Sequence, residues 1–126
     1  MKATVLLINF KDKQKQQTIQ RALLPLGIKM KVITQEEFGQ PIGYLAGMEK
    51  IAPVQMTEEK TELEKEILVF AAIDGDLLQY ILQILRKVGA PVDYKAVLTE
   101  HNLTWNCVQL YRELELEHLA YMQSRS

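Results

Sequence analysis

A chain of 126 residues, 48% hydrophobic and 25% charged, has the size and composition of one ordinary folded domain with a core of its own. Its formal charge of −1 leaves no strong net field, and the apolar run Val5 to Ile8 is too short for a membrane span or a signal segment. The lone Cys107 has no internal disulfide partner, so a reducing, cytoplasmic setting is expected.

Ala3 to Phe10 reads as a buried strand, a short β-branched and aliphatic run closed by Lys11-Asp12-Lys13. Gln14 to Leu26 reads as an amphipathic helix, with Ile19, Ala22, Leu23 and Leu26 at steps of three and four. Pro25 makes its last turn irregular, and Gly27 suits the left-handed position that ends it. Ile28 to Thr34 is a second strand; Ile28, Met30 and Val32 alternate with Lys29 and Lys31, so one side faces water. Pro41 opens a short helix with Ile42, Leu45 and Ala46 on one face and Gly47 closing it. From Glu49 to Glu66 the composition changes, and Thr57 to Glu66 contains a single aliphatic residue. That segment reads as a solvated, charged linker, in part helical.

Ile67 to Ile73 is the third strand, its unbroken apolar character predicting burial on both faces. Asp74-Gly75-Asp76 turns the chain into a strongly apolar helix, Leu77 to Val88, which Gly89 and Pro91 stop. Tyr94 to Leu98 is the fourth strand. Leu103 to Met122 is the longest helix, with Cys107, Leu110, Tyr111, Leu114, His118 and Tyr121 on one side.

This order says one thing twice. Leu6-Leu7-Ile8 is matched by Leu68-Val69-Phe70, and Ile19, Leu23, Leu26 and Gly27 by Ile81, Leu85, Val88 and Gly89. After an insertion, Ala90-Pro91-Val92, the match resumes with Val32-Ile33-Thr34 against Val97-Leu98-Thr99. The expected fold class is α/β: a single domain over residues 1–126, two βαβα-like halves (1–48 and 67–122) sharing one sheet of about four strands, joined by the charged linker 49–66. A ferredoxin-like α+β sandwich is the alternative, and it would scatter the loops to opposite edges.

Were all strands parallel, one sheet edge would gather Asn9, Lys11 and Asp12, then Thr34, Gln35 and Glu36, with Asp74, Asp76, Thr99, Glu100, His101 and Asn102. Carboxylates with one imidazole can hold a divalent ion or serve as an acid/base pair. The same residues also have plain structural uses. Asp76 and Asn102 suit helix N-caps, Asp74-Gly75 is turn chemistry, and His101 can lock its corner through a loop carbonyl. Trp105, placed in the first turn of the last helix, can stack on a base, anchor a partner, or staple the loop. Cys107 and His118 lie on the apolar stripe. No metal-ligand spacing, phosphate-cradling glycine loop or nucleophile motif occurs.

The run Lys95-Ala96-Val97-Leu98-Thr99-Glu100-His101-Asn102, followed by Trp105, Leu110-Tyr111, Glu113-Leu114 and Glu117-His118, resembles an uncharacterised bacterial family of the DUF 3783 type, most strongly over residues 67–122. Gly43-Tyr44-Leu45-Ala46-Gly47 resembles the amino-terminal part of longer members. The resemblance implies no substrate, cofactor or catalytic residue. It focuses attention on the corner from Thr99 to Trp105.

The functional expectation is a small cytoplasmic, non-catalytic binding or regulatory module acting through protein contacts, with no cofactor, metal or membrane. Its candidate binding residues are Thr99, Glu100, His101, Asn102, Trp105, Asp74 and Asp76. A homodimer through Leu114, His118, Tyr121 and Met122 is the expected contact. One alternative is a metal-assisted hydrolase or transferase using Glu100 and His101 with Asp74 or Asp76. The other is a weak nucleic-acid binder using Lys11, Lys13, Lys15, Lys29 and Lys31. Residues 1–50 carry eight Lys/Arg against four Asp/Glu and the remainder seven against twelve, an asymmetry that suits head-to-tail association or a weak basic face.

Overall fold

The two unbroken aliphatic runs become the two central strands, because only a strand covered on both faces hides every residue. In the computed structural model, which describes residues 1–56 and 60–124, β1 (Thr4–Ile8), β2 (Lys29–Ile33), β3 (Ile67–Ala71) and β4 (Tyr94–Val97) form one sheet in the order β2-β1-β3-β4. Every residue of β1 and β3 is buried. Four helices accompany them: α1 (Lys13–Leu23), α2 (Ile42–Leu45), α3 (Gly75–Lys87) and α4 (Cys107–Ser124). Thr57, Glu58 and Glu59 of the charged segment lie outside the described residues, as do Arg125 and Ser126 at the end of the chain.

Both halves run strand, helix, strand, helix, and in each the two strands are parallel neighbours. Ile19, Leu23, Ile81 and Leu85 bring α1 and α3 onto the face that carries Val5, Leu7, Leu68 and Phe70. Ile42, Leu45, Cys107 and Leu110 bring α2 and α4 onto the opposite face, with Leu6, Ile8, Ile67 and Val69. The fold is therefore α/β with helices on both faces, not a ferredoxin-like sandwich with its helices on one.

The central pair is antiparallel, Leu6 opposite Val69 and Leu7 opposite Leu68. This overturns the all-parallel sheet on which a single gathering edge depended. Antiparallel neighbours are related by a two-fold axis normal to the sheet, which keeps α1 and α3 on one face and sends the two sets of strand ends opposite ways.

Local chemistry explains the boundaries. A left-handed residue follows each central strand, Asn9 (φ 64°) after β1 and Ala72 (φ 57°) after β3. Asp12 accepts from the N–H groups of Gln14 and Lys15, and Asp74 from that of Leu77, so Asp74 rather than Asp76 caps α3. Pro25 tightens Leu24–Leu26 into a 3₁₀ turn, and Gly27 (φ 68°) leaves it. α4 starts at Cys107 rather than Leu103, because Asn106 accepts from the Gln109 N–H and Asn102 is engaged elsewhere.

The described part of the charged segment contains no helix, which corrects the partly helical reading, and although most of it is exposed it is tied to the fold at several points. Leu63 is buried, and the Asn9 amide donates to the carbonyls of Leu63 (2.8 Å) and Lys65 (2.9 Å). The Gln40 amide holds both backbone groups of Val54. No helix among the described residues is long and apolar enough to cross a membrane.

Candidate functional site

Because β3 and β4 are parallel neighbours, the turn after β3 and the corner after β4 emerge at the same end of the sheet. Asp74, Asp76, Thr99, Glu100, His101, Asn102 and Trp105 therefore share that end. Asn9, Lys11, Asp12, Thr34, Gln35 and Glu36 sit at the other, where β1 and β2 finish. The single edge of the sequence reading is thus two edges.

Asn102 organises the corner. Its amide oxygen accepts from the Thr99 N–H (2.9 Å) and its amide nitrogen donates to the Val97 carbonyl (3.0 Å). The Thr99 hydroxyl oxygen accepts from the His101 N–H (3.2 Å). The His101 and Trp105 rings then meet edge to face at 5.2 Å, with His101 exposed and Trp105 half-buried against the core. Trp105 belongs to this corner, not to the first turn of α4.

The corner is also a cap for the other half of the chain. The Ile42 N–H donates to the Trp105 carbonyl (2.7 Å) and the Gly43 N–H to the Leu103 carbonyl (2.8 Å), which satisfies the first two free donors of α2. A Cβ on Gly43 would lie 2.9 Å from the Leu103 oxygen, so this approach requires glycine. Thr99, Asn102 and Trp105 thus have structural duties that leave Glu100 and His101 as the exposed ionisable groups of the corner.

The Asp74 carboxylate is spent on the α3 cap, and Asp76 is exposed in the first turn. Among the described residues no three His, Cys, Asp or Glu side chains gather as a metal ion needs. At the opposite end Lys11 donates to the Leu63 carbonyl (3.1 Å), Lys15 pairs with Glu66, and Lys31 lies 3.4 Å from Glu37. The proposed basic set is therefore partly committed to contacts within the fold. The Thr34 hydroxyl, together with a backbone N–H and Lys60, holds the Glu36 carboxyl below its usual range.

Two features escaped the sequence reading. Leu116 and Leu119, which lie off the apolar stripe, are exposed beside Tyr121 and Met122 near the end of α4. A groove formed where the end of α3, the turn after it and Lys95 of β4 meet depends on how that stretch folds back on itself and has no signature in its residue pattern.

Residues 66–121 match the family described as a domain of unknown function (DUF3783), the family that the corner motif resembles. No curated protein and no solved structure matches the chain.

Proposed function

We propose that the protein is a cytoplasmic, non-catalytic contact module that self-associates through the last turns of α4. One observation carries this reading. Leu116, Leu119, Tyr121 and Met122 are 60, 52, 57 and 52% exposed on consecutive turns of one helix.

The cause is a mismatch in length. An 18-residue helix spans about 27 Å, whereas a five-residue strand spans about 17 Å, so the sheet covers only part of α4. Burial accordingly falls along the helix from Cys107, Leu110 and Tyr111 through half-buried Leu114 to the exposed end. His118 still reaches the Tyr94 ring, edge on at 6.1 Å. Apolar side chains concentrated on a projecting helix lower their hydration cost by meeting a like surface, and a two-fold dimer lets one patch serve both partners. A buried, unpaired Cys107 supports a reducing compartment. We take the two βαβα units as copies of one design, supported by Asn9 and Ala72, Asp12 and Asp74, and Gly27 and Gly89 in matching roles.

Sedimentation velocity tests the proposal. The wild-type chain should be dimeric at high micromolar concentration, and Leu119→Glu and Tyr121→Glu should each shift it toward monomer without moving the melting transition. A wild-type chain that remains monomeric at that concentration refutes it.

A further inference from the structure

The outer flank of β4 carries features that neither α4 nor the Thr99–Trp105 corner uses. The Tyr94 N–H donates to the Glu66 carbonyl and the Leu98 N–H to that of Phe70. The alternation of the ladder therefore turns the backbone groups of Lys95 and Val97 away from β3. Asn102 takes the Val97 carbonyl, and its corner closes that end of the edge. The Lys95 N–H and C=O and the Val97 N–H have no partner among the described residues.

Beside this edge, between α3 and β4, lies a cavity of about 400 Å³ with Leu82, Leu85, Ala90 and Val92 in its lining. A smaller one of about 130 Å³, which includes Phe70 and Val97, continues it, and Leu82 and Lys95 line both. Exposed Arg86 and Lys95 contribute to the lining of the larger cavity, and neither is ion-paired among the described residues.

An open strand edge, an apolar groove along it and two unpaired cations are together the elements of β-strand addition. We propose that β4 and the α3–β4 groove bind an extended, acidic peptide segment of another protein, which adds to the sheet as a strand. Its backbone pairs with Lys95 and Val97. An aliphatic side chain enters the cavity, and a carboxylate two residues away, on the same face of the added strand, meets Arg86 and Lys95. Charge selects this occupant over a second copy, since pairing β4 with β4 would crowd the Lys95 and Arg86 side chains of both copies into one place. The proposal rests on the reading of the chain as a contact module but uses a surface apart from the end of α4.

Fluorescence anisotropy with the full chain tests it, using a labelled peptide in which valine and glutamate alternate along one face and serine fills the other. Saturable binding is expected. Replacing the glutamates by lysines should weaken it at least about tenfold, and so should the double variant Arg86→Glu/Lys95→Glu, which should prefer the lysine peptide. Val97→Pro should weaken it comparably while keeping the β3–β4 ladder, because the N–H it removes points outward. Should that variant lose its melting transition, the charge-reversal pair decides alone. Absence of saturable binding, or equal affinity for the two peptides, overturns the proposal. A wild-type dimer that Val97→Pro dissociates, with no peptide binding, also overturns it and gives the edge to a second copy. A monomeric chain that binds the glutamate peptide refutes dimerisation through α4 and leaves this proposal standing.

Discussion

Cys107 has no exposed surface, and burial, with the Glu37 charge adding to it, pushes the thiol from an ordinary 9.0 up to about 12. A thiol is nucleophilic only as thiolate, so this one is both unreachable and unreactive at neutral pH. The sign of its pH effect follows. The fold favours the neutral form, so the contribution is fully present below pH 9.0 and is lost as pH rises toward about 12. A chromogenic disulfide reagent at about pH 8 should leave native Cys107 unmodified and label it fully in denaturant. Stoichiometric labelling of the native chain would mean that the first turn of α4 opens readily. Asn102 is held by local partners, Thr99 and Val97, whereas the Trp105 carbonyl serves Ile42, some sixty positions earlier in the chain, and no local pattern reports that contact.

Among the elements, helices were more legible than strands, and the reason is phase. Ile19 and Leu23 in α1 and Ile81 and Leu85 in α3 recur at helical spacing, and all four are buried on one face of the sheet. Leu23→Ala and Leu85→Ala should each cost about 2–5 kcal/mol, read from denaturant midpoints. A negligible loss at either would show that its helix is not anchored there. The central strands carry no such phase, because a run that is apolar at every position reads the same after a slip of one. Matching Leu6-Leu7-Ile8 to Leu68-Val69-Phe70 places Leu6 and Leu68 on opposite faces of the sheet. On the proposed repeat, the register instead makes Leu6 equivalent to Val69 and Leu7 to Phe70, one residue further on, in step with the left-handed residues Asn9 and Ala72. Strand direction was not legible either. Each half fixes a parallel pair through its own crossover helix, but the long segment between the halves leaves the sense of β1 against β3 open. That one undetermined sign divided the anticipated gathering of residues into two ends.

At the scale of the whole molecule, the antiparallel junction of β1 and β3 is what joins the halves. Without it each half would be a two-stranded parallel sheet with one central strand uncovered along an edge, and two strands rarely hold together alone. The junction is reinforced from outside the sheet. Asn9 at the end of β1 donates to Leu63 and Lys65 just before β3, Lys15 of α1 pairs with Glu66, and the backbone of Leu103 and Trp105 receives the first donors of α2. Each of these contacts ties the first half either to the second or to the segment that leads directly into β3. The halves should therefore fold only together. Fragments 1–56 and 60–126, made separately and followed by circular dichroism, should each lack a cooperative thermal transition, and an equimolar mixture should recover one near that of the intact chain. Sedimentation of the mixture should show a one-to-one complex. Fragment 60–126 melting cooperatively as a monomer would mean that the second half builds a sufficient core without β1, and the junction would then be an interface between two independent units rather than the centre of one.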